Sequence, residues 1–450
     1  MITKIAGGQI VTAKDQFEAD LWIRDSKIYK IGSAELEPDH VIDASGKIVM
    51  PGGIDPHVHM HLPTPAGYSS DDFKTGSIAA LHGGTTSIID FVTPLPGQSL
   101  MNALEERKRE AASSLIDYSF HVSPIEWTEN TESEIKACME AGVTSFKVYM
   151  AYKKAVGLED DVLFNVLKVV GKLGGMVTVH AEMGDEIDQL RDEFAEKGIL
   201  SPIAHPQSRP VHTESDAVQK VIEMAAETNC PLYIVHVSTE ESMRHIKAAQ
   251  VKGQQVWAET CPQYLVLNDS VYEGKFDKTC KYVLSPPLRK DADNNSLWQL
   301  LKTGEIQTVG TDHCPFSLEQ KKVGKKDFRK IPNGAGGVEH RIALLYTYGV
   351  LESKISLSQM VNMMATAPAK IFGLENKGDL LEGYDADILI WDSNTEQIIS
   401  AANHFQNSDI NIYEGFKTIG APSHVFVKGK EVICKGVLME KPEGEFIERY

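Results

Sequence analysis

The stretch IVMPGGIDPHVH, residues 48–59, decides the fold: an apolar, β-branched run that ends on two histidines one residue apart. Short apolar runs bounded by polar residues are typical of buried strands. Seven further runs of this kind follow: TSIIDFVT (86–93), DYSFHVSPI (117–125), SFKVYMA (145–151), MVTVHAE (176–182), LYIVHVS (232–238), QVWAETC (255–261) and IQTVGTDH (306–313).

Segments with helical spacing separate most of these runs, among them residues 100–114, 160–174 and 215–229. Continuous apolar strands that alternate with amphipathic helices indicate a parallel sheet covered by helices. The sequence therefore predicts an α/β fold, a (β/α)8 TIM-like barrel with eight strands, which residues 353–374 close as a helical segment.

Both chain ends contain short alternating stretches instead, interrupted by Gly7-Gly8 near the start and recurring at 386–392 and 423–438. Neither end has enough apolar surface to fold alone, so we expect a small β-sandwich domain formed by both chain termini. The predicted domains are residues 1–50 (first part of the sandwich), 51–375 (barrel) and 376–450 (second part and C-terminal tail).

The composition excludes several classes of partner. Lys and Arg number 45 against 63 Asp and Glu, a net charge of −18, and no basic block interrupts this acidity. We therefore expect no nucleic acid and no membrane among the partners. The six cysteines are scattered without a CxxC pair, and the first residues lack the apolar run of a signal peptide. A cytoplasmic protein with reduced thiols is the expectation.

Polar residues with metal-binding side chains end five of the predicted strands. The carboxyl ends of barrel strands meet at one mouth, and residues i and i+2 of a strand share a face. A single histidine is more often a hydrogen-bonded structural residue, but the whole set predicts a metal site. Its members are His57, His59, Lys147, His180, His236 and Asp312.

Nitrogen and carboxylate ligands without thiolate suit Zn²⁺, with Mn²⁺, Fe²⁺ or Co²⁺ also possible. Four imidazoles and one carboxylate exceed what one catalytic zinc with an open position needs, so two ions are favoured. A protonated Lys147 would repel both ions, and spacing and composition leave this conflict open.

The motifs of this chain resemble those of the cyclic amidohydrolases, specifically the dihydropyrimidinase and D-hydantoinase branch. The resemblance spans nearly the whole chain, and the FKVYMAYK, SPPLR and PNGxxGxE elements are its most specific parts. The stretches that carry it are PGGIDPHVH, GGTTSIIDF, SFKVYMAYK, TVHAE, YIVHVS, ETCPQYL, LSPPLR, GTDHCPF, PNGAGGVEHR and APAKIFGL.

The resemblance implies how the metal site is built. Lys147 matches a lysine that reacts with CO₂, and the resulting N6-carboxylated side chain bridges two zinc ions per subunit. His57 and His59 would bind one ion with Asp312, and His180 and His236 the other. A hydroxide shared by both ions would open the ring of a 5,6-dihydropyrimidine or 5-substituted hydantoin at its amide bond, giving an N-carbamoyl amino acid.

The resemblance also implies the catalytic and substrate-binding residues. Asp312 would act as general base and then general acid, and the Tyr152 hydroxyl would support the oxyanion. Main-chain groups of Ser285 and Asn333 would read the ureide edge of the ring. Each has an ordinary alternative: an interfacial aromatic for Tyr152, and turn residues for Ser285 before a proline and for Asn333 before a glycine.

Two loops, 62–72 and 153–161, match those that gate the exocyclic substituent in this family. We expect His61, Leu62, Tyr149 and Val156 to line that gate. Dihydroorotases have an arginine where this chain has His61, which argues for a neutral ring. We expect His61, His82, His121 and His212 to be non-ligands, and His313 and Cys314 either to be structural or to support the neighbouring ligand Asp312 from outside the metal site.

Three alternatives stay open at this point: an allantoinase-like enzyme, a dihydroorotase-like enzyme and a non-catalytic scaffold of the same fold. Collapsin response mediator proteins are scaffolds of this type that have lost metal ligands, whereas the full set is present here. The resemblance further implies a homotetramer and a small cyclic ureide as the substrate.

Overall fold

The computed structural model describes residues 1–439 and 441–450. In chain order its strands are β1 (Ile2–Val11), β2 (Gln16–Arg24), β3 (Lys27–Ile31), β4 (His40–Asp43), β5 (Ile48–Pro51), β6 (Gly53–Val58), β7 (Pro63–Thr64), β8 (Gly67–Tyr68), β9 (Thr85–Val92), β10 (Asp117–Val122), β11 (Ser145–Tyr149), β12 (Met176–His180), β13 (Leu232–Ile234), β14 (Val256–Thr260), β15 (Thr308–Val309), β16 (Ile388–Ile398), β17 (Lys417–Val427), β18 (Lys430–Cys434) and β19 (Val437–Leu438).

Helices connect the strands of the central part of the chain. They are α1 (Phe73–His82), α2 (Leu100–Ala111), α3 (Thr131–Glu140), α4 (Asp160–Lys172), α5 (Gly184–Glu196), α6 (Ala204–Gln207), α7 (Val211–Thr228), α8 (Glu240–Val251), α9 (Pro262–Val266), α10 (Phe276–Thr279), α11 (Asp291–Thr303), α12 (Leu318–Lys322), α13 (Arg341–Leu345), α14 (Leu357–Val361) and α15 (Ala367–Phe372).

Eight parallel strands form a nearly closed barrel in the order β6-β9-β10-β11-β12-β13-β14-β15. The gap between β15 and β6 is bridged just beyond β15, where the His59 amide donates to the His313 carbonyl at 2.8 Å. The buried Arg341 spans the same seam, donating to the carbonyls of Ile54 at 2.8 Å and Val309 at 3.0 Å. The predicted TIM-like barrel is confirmed.

Each of the eight predicted runs contains a barrel strand, but residues 48–59 contain two strands rather than one. β5 pairs with β1 and β16 in the terminal sheet, and β6 begins the barrel at Gly53. Gly52 lies at this junction, where a Cβ atom would approach Thr86 Oγ1 to 2.3 Å. Only glycine lets the chain pass from one sheet to the other so close to β9.

The strands of both chain ends form a separate mixed sheet of nine strands, β19-β18-β17-β16-β5-β1-β2-β3, with β4 paired to β1. Gly7-Gly8 does not divide the first strand as expected; β1 is continuous, and its register shifts between Ile5 and Gly8, with Gly7 at φ +66°. A glycine bulge bends a strand without ending it. The domain division at 50/51 and 375/376 stays a prediction.

Two observations concern the environment of the chain. All six cysteines are free thiols. Within the part of the chain that the structure describes, no helix combines the length and the hydrophobicity that crossing a bilayer requires.

Candidate active site

The six predicted metal-binding residues lie at or just beyond the carboxyl ends of barrel strands. His57 is in β6, Lys147 in β11 and His180 at the end of β12. His59, His236 and Asp312 follow β6, β13 and β15 within three residues. Since the eight strands are parallel, these ends meet at one mouth of the barrel, and the side chains there are almost fully buried.

Asp312 joins the two histidines of the HxH motif. Its Oδ1 lies 3.2 Å from His57 Nε2 and 3.1 Å from His59 Nε2. Burial by itself would raise the pKa of Asp312, but the two adjacent histidines hold it well below its ordinary value. The carboxylate is therefore ionised, and three possible ligand atoms from β6 and β15 converge on one point.

His180 and His236 form the other half of the cluster. His236 Nε2 lies 2.9 Å from His180 Nδ1, while His180 Nε2 lies 2.7 Å from Glu182 Oε2. Burial lowers the pKa of both imidazoles, so both rings favour the neutral form. When His180 Nε2–H donates a hydrogen bond to the Glu182 carboxylate, the lone pair of His180 Nδ1 faces His236 Nε2, an arrangement that one shared cation would satisfy.

The two halves are contiguous. Ligand atoms of His57, His236 and Asp312 all lie within 4.8 Å of one another. The ring centroids of His57 and His236 are 5.4 Å apart, and those of His180 and His236 are 4.6 Å apart. The structure thus brings together a cluster of histidines and one carboxylate of the kind that binds transition metals.

Lys147 lies among these side chains with 1% of its surface exposed. Its Nζ faces aromatic rings, 4.9 Å from the centroid of Phe91 and 5.1 Å from that of Tyr149. Burial lowers the pKa of Lys147 to about 8, although Asp312 and Glu259 act in the opposite direction. The unprotonated fraction of this amine near neutral pH is therefore larger than that of an ordinary lysine.

Two buried glutamates orient the histidines, and the sequence interpretation missed both. Glu259 Oε1 lies 2.6 Å from His57 Nδ1 and accepts from the His236 amide at 3.1 Å; Glu182 supports His180 as described. Such carboxylates fix the tautomer and the direction of a metal-binding imidazole. A signal was present, because Glu182 stands two residues after His180 and Glu259 lies near the end of the predicted run 255–261.

Glu259→Gln is expected to lower metal affinity by about 10- to 100-fold, the usual cost of losing an outer carboxylate. The side-chain amide oxygen of the new glutamine can still accept a hydrogen bond from His57 Nδ1. The substitution removes the negative charge that makes the His57 imidazole a stronger electron-pair donor to a metal ion. Competition with a chelator, followed by metal analysis, measures the change. Glu227→Gln removes the same charge from an exposed position on α7 and should have no effect. Equal metal affinity in both variants would contradict this role for Glu259.

The three predicted substrate-binding residues lie together. Asn333 Nδ2 donates to Ser285 Oγ at 3.0 Å, and both side chains act to lower the pKa of the Tyr152 hydroxyl, against the larger effect of burial. The Tyr152 ring centroid is 5.2 Å from that of His180, next to the metal-binding cluster. Burial raises the pKa of Tyr152, so its hydroxyl keeps its proton and can donate. Its φ of +62° is a strained conformation typical of functional positions.

Three of the four predicted gate residues lie on two loops, and the fourth, Tyr149, is the last residue of β11; all four side chains are partly exposed. His61 stacks on Tyr68 with ring centroids 3.9 Å apart, and the Leu62 amide donates to Ser69 Oγ at 2.8 Å. The loop is a short hairpin of β7 and β8. In the second loop, the Val156 amide donates to the Tyr152 carbonyl at 3.1 Å. The Leu158 amide donates to the carbonyl of Tyr149 at 2.9 Å and so closes this loop against the end of β11.

The other histidines that the sequence analysis singled out have partners outside the cluster. His313 Nε2 lies 3.0 Å from Asp71 Oδ2, and its Nδ1 accepts from the Gly337 amide at 3.1 Å, beside a buried Cys314. Each of the others has a contact of its own: His82 stacks on Phe405, His121 Nδ1 bonds to Ser145 Oγ, and His212 Nε2 bonds to Glu186 Oε1.

Comparison with known proteins identifies relatives over the full length. The profile of the Amidohydrolase family matches residues 48–432. A D-hydantoinase of Geobacillus stearothermophilus is 42% identical over 100% of this chain and 97% of its own length. A dihydropyrimidinase of Arabidopsis thaliana is 38% identical over 99% of this chain and 85% of its own length.

The crystal structure of a dihydropyrimidinase from Brevibacillus agri NCHU1002 superimposes with a TM-score of 0.98 at 40% identity, covering 100% of this chain and 99% of that one. Similarity at this level extends over the barrel, the terminal sheet and the mouth where the cluster lies. The chain belongs to the amidohydrolase family and is a cyclic amidohydrolase of its hydantoinase and dihydropyrimidinase branch.

Proposed function

We propose that this protein hydrolyses the cyclic amide bond of a 5,6-dihydropyrimidine or a 5-substituted hydantoin and releases an N-carbamoyl amino acid. The observation that carries the proposal is the convergence of four histidines, Lys147 and Asp312 at the barrel mouth of a hydantoinase-like chain. A scaffold without catalysis would have little reason to keep so many buried ionisable groups.

The residues present fit a metal centre. His57 Nε2 is buried beside Asp312 without a hydrogen-bond partner, and the donors are imidazole and carboxylate, which Zn²⁺ prefers. We infer that His57, His59 and Asp312 hold one Zn²⁺ and that His180 and His236 hold a second; Mn²⁺, Fe²⁺ or Co²⁺ would also suit these donors. When bound, the ions would supply a reactive water-derived nucleophile and polarise the scissile carbonyl.

Lys147 is proposed to join the two halves as a carboxylated side chain. Its unprotonated amine nitrogen would bond to the carbon of CO₂ and release one proton, which leaves a carbamate anion. The lowered pKa of the buried amine favours the nucleophilic form that this step requires. The product replaces a cation that opposes metal binding by an anion that supports it.

The other groups at the site supply proton transfer and binding. Asp312, kept ionised by His57 and His59, can accept the proton of the attacking water and pass it to the departing ring nitrogen. The protonated Tyr152 hydroxyl can donate to the oxygen that becomes negative during attack. Main-chain groups at Ser285 and Asn333 would bind the O=C–NH–C=O edge of the ring.

Tyr152→Phe is expected to lower kcat by about 10²- to 10³-fold, the usual effect of removing one oxyanion donor, with a smaller effect on KM. Steady-state kinetics on dihydrouracil and hydantoin measure both constants. Tyr29→Phe, a change at an exposed residue of the terminal sheet, is the matched control. A rise in KM alone would mean that the hydroxyl binds the substrate rather than the transition state.

The substrate, assembly and location are proposed on family resemblance. Because His61 replaces the arginine of dihydroorotases, a neutral ring is the proposed substrate, with the gate residues selecting its substituent. We also propose a homotetramer in the cytoplasm.

A hydrolysis panel tests the proposed function. Dihydrouracil, dihydrothymine, hydantoin, phenylhydantoin, allantoin and dihydroorotate are incubated with protein expressed with zinc and bicarbonate, and bound metal is measured in parallel. We expect about two ions per chain and turnover of the neutral dihydropyrimidines or hydantoins. Turnover of allantoin or dihydroorotate alone would overturn the substrate assignment. Protein without metal and without turnover would indicate the scaffold alternative.

A further inference from the structure

A buried lysine outside the metal-binding cluster contacts the segments that carry Ser285 and Asn333. Lys321, on α12, has 0% of its surface exposed. Its Nζ donates to three main-chain carbonyl oxygens: those of Val283 at 2.9 Å, Pro332 at 2.7 Å and Gly334 at 2.8 Å. These three acceptors match the three hydrogens of one ammonium group.

The three acceptor residues lie close in the sequence to the two residues that are proposed to bind the ureide edge of the ring. Pro332 and Gly334 flank Asn333 on both sides, and Val283 stands two residues before Ser285. The two segments also contact each other, because the Gly334 amide donates to the Val283 carbonyl at 3.1 Å. One side chain therefore fixes the main chain around both residues that are proposed to read the ring.

The helix that carries Lys321 also reaches the first gate loop. Gln320 Nε2 donates to the Tyr68 carbonyl at 2.6 Å, and Tyr68 is the ring on which His61 stacks. Ser317 and Gln320 form a capping box that fixes the start of α12. Gln320 and Lys321, adjacent residues of α12, therefore hold two parts of the site. Gln320 contacts the β7–β8 hairpin of the first gate loop, and Lys321 contacts the segments that carry Ser285 and Asn333.

We propose that Lys321 is a positioning residue that sets the spacing of the Ser285 and Asn333 main chains so that together they bind the ureide edge of the ring. The proposal rests on the proposed function for the identity of the ligand. It predicts that Lys321 acts mainly on substrate binding, since its amine points at carbonyl oxygens of the binding segments and belongs to neither half of the metal-binding cluster.

The test replaces Lys321 by methionine, an unbranched side chain one atom shorter, which removes the donors. Lys322→Met, on the same helix and partly exposed, is the matched control. We expect Lys321→Met to raise KM for the best ring of the panel by about 10- to 100-fold, since displacements of about 1 Å have effects of this size. The metal content should be unchanged, and kcat should change less than about threefold.

Hydrogen exchange read by mass spectrometry gives a second measurement that does not depend on the substrate. In Lys321→Met we expect faster exchange confined to residues 283–286 and 332–335, and in Lys322→Met no change. If the methionine variant does not fold, Lys321→Gln, which retains two N–H donors, replaces it and should give a smaller rise in KM.

Unchanged KM together with unchanged exchange in these segments overturns the proposal. So does a loss of thermal stability at wild-type KM, which would assign Lys321 an ordinary structural role, or a fall in kcat alone. If the wild type turns over no ring, the proposed function fails, and the exchange comparison still decides whether Lys321 orders the two segments.

Discussion

Lys147→Ala is expected to leave the protein with little bound metal and almost no hydrolysis of any cyclic ureide. The substitution removes the only lysine of the cluster and with it the carbamate proposed to join the two halves. Loss of a carboxylate that hydrogen bonds to a metal ligand typically lowers metal affinity by about 10- to 100-fold. Loss of a ligand that bridges both ions should lower it further. Asp312 would then be the one anionic ligand left beside four imidazoles, which disfavours two dications.

Metal analysis and steady-state kinetics on the same preparation measure this effect. Lys168→Ala, at an exposed position of α4, is the matched control and should keep the metal content and activity of the wild type. Acetate or propionate should restore part of the activity of Lys147→Ala, because a small carboxylate can occupy the space of the carbamate. Unchanged turnover in the variant would refute the bridging role.

The barrel could be predicted because its signal is repeated. Eight apolar runs, separated mostly by helical segments, leave few alternatives for the central fold. The division of residues 48–59 between two sheets could not be read in the same way, since β5 and β6 are both buried, are separated only by Gly52 and are told apart by their partner strands. The continuity of β1 could not be predicted either. A glycine pair within an apolar stretch is compatible with a bulge, which the structure has at Gly7, and equally with the end of a strand.

The cluster could be placed at one mouth because its members end strands whose direction the fold fixes. Glu182 and Glu259 were missed because an acidic residue near a strand end is common, and only the contacts with His180 and His57 give it a role. Lys321 left no signal at all, because its partners are carbonyl oxygens, which every residue has.

Asp312→Asn is expected to preserve the fold while kcat falls by about 10²- to 10⁴-fold, the contribution usual for a general acid–base group. The asparagine has nearly the same shape, and its Oδ1 can still face His57 Nε2 and His59 Nε2, where the carboxylate oxygen now lies at 3.2 Å and 3.1 Å. It cannot accept a proton from water and return it to the ring nitrogen. Circular dichroism and kinetics on the best substrate measure the two parts of the expectation.

Metal content separates the two roles of Asp312. If the variant retains about two ions per chain and kcat still collapses, proton transfer is the function lost. If the ions are lost and excess Zn²⁺ restores the rate, Asp312 serves as a ligand only, and another group must move the proton. Asp216→Asn, an exposed change on α7, controls for the loss of one negative charge from a chain of net charge −18.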